Sequence, residues 1–209
     1  MDGESDLDDH LADLFRFVWP EAIGGTPSRG ALQVLLGICG NEGWGNWDGD
    51  MAGSNNFGGL QVPVSMQPYG DGVTYTAVEH IDHHYDGTEY TTYFKYFIDG
   101  AGHTAEENGA ISYLRTVALR KQNDGSTPVL GPLRAGDAYG TAKAMHDTHY
   151  YEGFPPDPVQ GYADGVVKNA TLAAEALGEP LEVGGSNKKK WLLIGGAGVA
   201  VAYAMGWLG

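Results

Sequence analysis

The last nineteen residues of the chain, Trp191 to Gly209, carry no charged side chain, and Lys188, Lys189 and Lys190 stand immediately before them. At about 1.5 Å of helical rise per residue such a run nearly spans a bilayer core of about 30 Å. Trp191 and Trp207 lie near its two ends, where amphipathic rings prefer the interface. Gly198, Ala202 and Gly206 recur at four-residue spacing, a face that lets helices approach closely. Residues 191–209 are therefore expected to form a C-terminal transmembrane anchor; the plainer alternative is a buried core helix. This one feature divides the chain into a body and a tail with opposite physics.

The body is strongly acidic. All 27 Asp and Glu residues precede residue 183, whereas only nine of the 12 Lys and Arg residues precede Lys188, which leaves residues 1–187 at −18. Such a surface excludes a nucleic-acid binder, whose affinity comes from basic groups neutralising phosphates. A single cysteine, Cys39, excludes an internal disulfide framework and any Cys-rich zinc site. Hydrophobic content of 42% with five Trp and 12 Tyr is too rich for wholesale disorder.

Local patterns predict a mostly helical α+β body. Leu7, Leu11, Leu14, Phe15 and Val18 follow helical spacing, with Ser5 as N-cap and Pro20 as the stop, so residues 1–19 are expected to be an amphipathic helix packed on the domain. The acidic MDGESDLDDH start has no apolar signal core, so no cleavable secretory peptide is expected. Thr26-Pro27 reads as the start of a second helix whose ALQVLLGIC run is apolar nearly all round, as for a helix buried on every side. It ends in Gly40-Asn41-Glu42-Gly43-Trp44-Gly45, where a buried carboxyl would have a raised pKa suited to donating a proton, the plainer alternative being an ordinary capping or solvated Glu. VTYTAVEHIDHH and TEYTTYFKYF around Tyr85-Asp86-Gly87-Thr88 predict a β-hairpin. Further helices are expected from a Thr104–Glu107 capping box, around 137–148, and from about Pro158 to Leu177, with Gly178 and Pro180 stopping the last.

The order Pro20-Glu21-Ala22, a buried helix, NEGWG, NNFGGLQ, a hairpin, YFKYF and a closing YYEG…GYADGVVKNA resembles the bacterial and phage glucosaminidase-type peptidoglycan hydrolases, which have a lysozyme-like fold. The resemblance covers roughly residues 15–178 and lies in motif order more than in residue identity; NNFGG is its most specific piece. It implies a lysozyme-like domain at 20–178; composition places a linker with a basic collar at 179–190 between it and the anchor at 191–209. It further implies a catalytic Glu at the end of the central helix, where the family carries E-S/T-G-W-G. Aligned without gaps, NEGWG sets Asn41 on that position; with one deletion Glu42 takes it. Asn has no proton to give, and Glu42 is the one carboxyl at this helix end, so Glu42 is the expected acid, a degenerate and inactive domain being the alternative. The second carboxylate, which the family carries on or near the hairpin, is then Glu79, or Asp82 three residues on. Trp44, Asn56, Phe57, Gln61, Tyr93, Tyr150 and Tyr151 are the expected glycan-binding residues. The plainer reading of each aromatic is core packing.

HIDHH (80–84) and HDTH (146–149) invite a metal reading, but HExxH is absent and His80 and His83 alternate faces on a strand. No metal or cofactor is expected, and Cys39 is expected to be a small buried hydrophobe. The expected partners are peptidoglycan glycan strands, a membrane through residues 191–209, and other virion proteins. A wall hydrolase without an export signal, its body held on the side of the Lys188–Lys190 collar, meets no substrate in a cytoplasm. Carriage in a phage particle and delivery from outside removes that conflict. A non-enzymatic, membrane-anchored glycan-binding or structural virion protein is the alternative, and a cellular hydrolase exported by an unusual route is a third.

Overall fold

In the computed structural model, residues 3–42, 53–62, 72–83, 86–151 and 156–184 are described. Helix α1 spans Gly3–Ile23 and buries Leu11, Leu14, Phe15, Val18, Trp19 and Ala22. It begins before Ser5 and runs through Pro20, contrary to the expected limits. Proline in a last turn costs one backbone bond, and the Pro20 carbonyl still accepts from Gly24 N at 3.1 Å. The stop is Gly24-Gly25, both at positive φ, 77° and 72°. Helix α2, Arg29–Asn41, starts two residues later than expected because Ser28 supplies the cap, its Oγ accepting from Ala31 N. Every residue from Gly30 to Cys39 is buried, as the unbroken apolar run requires.

Strands β1 (Tyr75–His83) and β2 (Glu89–Phe97) form the expected antiparallel hairpin, with Glu79 opposite Tyr93 and Asp82 opposite Tyr90. Asp86 organises its turn by accepting from both the backbone N–H and the hydroxyl of Thr88. The far edge of β2 takes residues 60–62 alongside it, through Val62 N to Tyr93 O and Lys95 N to Leu60 O.

Helix α3, Ala105–Ala118, opens with the expected capping box: Thr104 Oγ1 accepts from Glu107 N while the Glu107 carboxylate accepts from Thr104 N. Helices α4 (Leu130–Arg134), α5 (Ala138–Asp147, capped by Asp137) and α6 (Pro158–Ala176, capped by Asp157) complete the body. The body is thus mostly helical α+β with one two-stranded antiparallel hairpin. Helix α4 was not expected from the sequence, being five residues long without a side-chain cap.

The core is organised by α2 and α6, which pack antiparallel: Gln33 near the start of α2 bonds Pro180 and Glu182 beyond the end of α6, while Glu42 meets Tyr162 near the start of α6. Their backbones approach so closely that a methyl group at Gly37 would lie 2.3 Å from the Val166 carbonyl oxygen. Asn41 likewise fills the space over Gly165, and Asn169 the space over Gly40. Residues 179–184, expected to begin a linker, belong instead to the body. Gln33 holds two of their backbone groups, Arg29 pairs with Glu182 and Glu179, and Gly184 forms a parallel bridge to Asp137. Among the described residues no helix is long and apolar enough to cross a membrane, and the 191–209 run lies outside them.

The α2–α6 contact makes a direct prediction. Gly37→Ala overpacks it and destabilises the protein by about 1–3 kcal/mol. Gly161→Ala, in α6 with open space around it, is neutral or stabilising by up to about 1 kcal/mol. Thermal melting of the full chain in mild detergent compares the two; equal melting temperatures would refute the packing account.

Candidate functional site

Glu42 caps the C-terminal end of α2, its N–H bonded back to Ile38 O at 3.0 Å. Its side chain is partly buried, and the Tyr162 hydroxyl donates to Oε1 at 2.5 Å. Burial pushes the carboxyl above its ordinary value, and the Tyr162 hydrogen bond pulls part of the way back. The helix end acts in the same sense as burial, since unsatisfied carbonyls there disfavour a negative charge. Among the described residues no Lys or Arg pairs with Glu42 to reverse this.

Around the carboxyl stand Tyr113 from α3, Tyr150 from the turn after α5, Tyr162 from α6, and Cys39 one turn back on α2. The phenols of Tyr113, Tyr150 and Tyr162 are all pushed far up by burial first, and the charge of Glu42 adds to each. All three are neutral hydroxyls at any physiological pH. Burial likewise pushes up the Cys39 thiol, which is therefore a packed hydrophobe rather than a nucleophile. The Tyr113 and Tyr150 hydroxyls are buried without a hydrogen bond of ordinary geometry. Tyr162 is stacked on Tyr151, rings 3.9 Å apart at 10°, and the edge of His146 meets Tyr151 at 5.6 Å. Arg120 fastens the turn that carries Tyr150 and Tyr151: its guanidinium donates to Thr148 O and His149 O and lies over the Tyr150 ring.

The NNFGG turn serves this cluster from behind. Asn56 is buried and ties the turn together, donating to Leu60 O and Lys95 O and accepting from Leu60 N. Phe57 is core, edge-on to Phe15 at 5.7 Å. Gly58 is needed because a methyl group there would lie 2.3 Å from the Tyr113 ring, and Gly109 because one would lie 2.0 Å from Asn55 O. Buried to this degree, Asn56 and Phe57 present no side-chain surface to a glycan; Asn56 ties the turn and Phe57 packs in the core, while Gly58 lies against the Tyr113 ring.

Of the remaining expected residues, Gln61 is exposed beside Phe94, and Trp44 lies outside the described residues. Glu79 is exposed on β1 and accepts from the Tyr93 hydroxyl at 3.2 Å, which pushes that phenol up. Asp82 is placed only by its backbone pairing with Tyr90, and positions 79 and 82, three apart on a strand, cannot serve the same face. The structure brings together Glu42, Tyr150 and Tyr151; among the described residues no hydrogen bond or ion pair joins the Glu79–Tyr93 pair to them. Sequence reasoning missed Tyr162, Tyr113 and Arg120 as site residues, although Tyr162 stands in the GYADG motif and on the buried stripe of α6. Among the described residues no three His, Cys, Asp or Glu side chains converge to hold a metal.

The raised Glu42 has a thermodynamic signature. A carboxyl whose folded-state pKa exceeds its unfolded value binds its proton more tightly in the folded protein. Its contribution to stability is full below about 4.5, the ordinary carboxyl value, and is lost as pH rises through the folded value. Glu42→Gln, which keeps an acceptor for Tyr162, therefore melts higher than wild type at neutral pH, and the gap closes at acidic pH. A gap that widens on acidification would show that the carboxylate is stabilised rather than burdened by its site.

No protein-family model, no curated protein and no solved structure matches the chain.

Proposed function

We propose that this chain is a peptidoglycan-cleaving glycosidase of lysozyme-like architecture, cutting β-1,4 bonds between amino sugars as an N-acetylglucosaminidase, a muramidase or a lytic transglycosylase. One observation carries the reading: the carboxyl at the end of the buried central helix is half out of water, raised by that burial, and addressed by a neutral phenol. A carboxyl so placed is suited to hold its proton until a glycosidic oxygen needs it, with cleavage passing through an oxocarbenium-like state. A mostly helical body with one hairpin and a central helix ending on the acid is the arrangement the motif order implies.

In this reading Glu42 protonates the leaving oxygen. Asn41 is exposed and packs over Gly165, while Glu42 receives the Tyr162 hydrogen bond, which favours the gapped alignment of NEGWG. Glu79, whose carboxylate accepts from Tyr93, is taken as the hairpin carboxylate; where the substrate's own N-acetyl group acts as nucleophile, no second carboxylate is required. The body is read as virion-carried and delivered to the wall from outside, with residues 191–209 as its membrane anchor. The acidic surface gives no attraction to phosphate-bearing wall polymers, so recognition rests on groove contacts.

Full-length protein in mild detergent, incubated with purified peptidoglycan, is expected to release fragments identifiable by mass spectrometry, and the sugar at the new end names the bond. Glu42→Gln lowers release by about 100-fold or more and costs far more than Asn41→Ala. The rate falls as pH rises through the raised Glu42 value, because the acid must be protonated. No product from wild type would overturn the enzymatic reading in favour of a glycan-binding anchored protein, and full activity in Glu42→Gln would overturn the acid assignment. For the tail, the double substitution Val199→Lys/Val201→Lys is expected to abolish partition into liposomes, since each buried charge costs about 2.5–3.5 kcal/mol near a helix centre. Unchanged partition would refute the anchor.

A further inference from the structure

Tyr151 was expected to touch sugar. Its contacts describe a different task. The ring lies parallel to Tyr162 at 3.9 Å and 10°, its own hydroxyl donates to the Ala142 carbonyl of α5 at 2.8 Å, and the His146 ring abuts it edge-on at 5.6 Å. Tyr151 is thus fixed at both its face and its tip, and the turn that carries it is fastened by Arg120. Tyr162 is held at its tip, where its hydroxyl donates to Glu42 and the Asn41 side chain also hydrogen-bonds it. A tyrosine side chain has two rotatable bonds, and hydrogen bonds at the tip alone leave its ring free to swing about the second. The parallel ring removes that swing.

We propose that Tyr151 is a positioning residue for Glu42: its ring holds the Tyr162 phenol in the plane from which it donates to the carboxylate. Among the described residues no hydrogen bond joins Tyr151 to Glu42, so Tyr151 acts on it through the stacked Tyr162. Asp147 and Asp157 lie near enough to raise the Tyr151 phenol further, after burial has done most of it, so the residue remains a neutral donor to Ala142. The groups facing Glu42 itself are Asn41 and Cys39 on its own helix, Tyr113 from α3, Tyr150 from the turn after α5 and Tyr162 from α6; of these Tyr162 alone donates a described hydrogen bond to the carboxylate. The assignment deepens the reading of Glu42 as the acid and rests on it for its catalytic meaning.

The test reads the carboxyl directly and needs no substrate. Full-length protein carrying ¹³C-labelled glutamate is titrated by NMR in detergent micelles, the Glu42 resonance being the one missing from Glu42→Gln. Tyr162→Phe removes the donor and leaves the burial, so Glu42 titrates at higher pH than in wild type. Tyr151→Leu moves it in the same direction, Tyr151→Phe, which keeps the stacked ring, moves it less, and Tyr151→Leu added to Tyr162→Phe moves it no further. Should the leucine variant lack a native melting transition, Tyr151→Gln carries the same cycle. An unmoved Glu42 in Tyr151→Leu, or a shift that persists on top of Tyr162→Phe, overturns the proposal. With peptidoglycan as substrate, a positioning role lowers kcat, whereas a sugar contact raises KM; a KM effect alone overturns it as well. If wild type releases no product while the titration cycle behaves as described, the enzymatic reading fails and the positioning of Glu42 by Tyr151 stands.

Discussion

The close approach of α2 and α6 is the constraint on which the rest of the structure depends. Helices normally pack 8–10 Å apart because side chains separate them. Here Gly37 meets the Val166 carbonyl without an intervening methyl, and Gly40 and Gly165 let Asn169 and Asn41 fill the remaining space. Each glycine inside a helix costs about 1 kcal/mol relative to alanine, so three of them in one seam weaken the helices locally. What the seam gains is position. With the backbones this close, a carboxyl on the C-cap residue of α2 and a phenol one turn into α6 fall within a single hydrogen bond.

That placement explains how a raised carboxyl survives in a protein with a net charge of −15. Net charge is not the cause, for surface carboxylates more than a Debye length of about 8–10 Å away are largely screened. The cause is local. Glu42 sits at the negative end of a helix dipole, loses water to Tyr113, Tyr150 and Tyr162, and finds no described cation. One hydrogen bond from Tyr162 offsets part of that cost. The same chain places Asp86 and Asp124 in turns where their own loop donors hold the carboxyls low, so the fold separates its acids by environment rather than by identity.

What was legible in the amino-acid sequence was local chemistry. The Thr104–Glu107 box, the Asp86-Gly87 turn and the apolar run of α2 each carry their instruction within a few residues, and the structure contains all three. The limits of α1 were misjudged because a proline signals a stop only where its neighbours cannot extend one more turn, and here two glycines do the stopping. The glycines of NNFGG were legible as a demand for close approach, but not what approaches. A glycine that admits a ligand and one that admits the Tyr113 ring look identical in a sequence. Tyr162 stood in plain view on the buried stripe of α6; its chemical role depends on α2 lying across it, a long-range fact that no periodicity contains.

The same geometry bears on how body and tail work together. The strap 179–184 brings the chain to Gly184, which pairs with Gly136 and Asp137, and Gly136 touches Gly30 at the start of α2. Glu42 stands at the opposite end of that helix, about 18 Å away at 1.5 Å per residue. If residues 191–209 anchor the protein, the six residues between Gly184 and Trp191 leave from the end of the body remote from the acid. A strap that had released at Leu177 would allow the body to roll on a longer tether. Pinning it through Gln33, Arg29 and Ala138 shortens that tether and keeps the acid end of α2 away from the point of attachment. Under the proposed reading, a wall hydrolase tethered through residues 191–209 would present its acid end away from the tether.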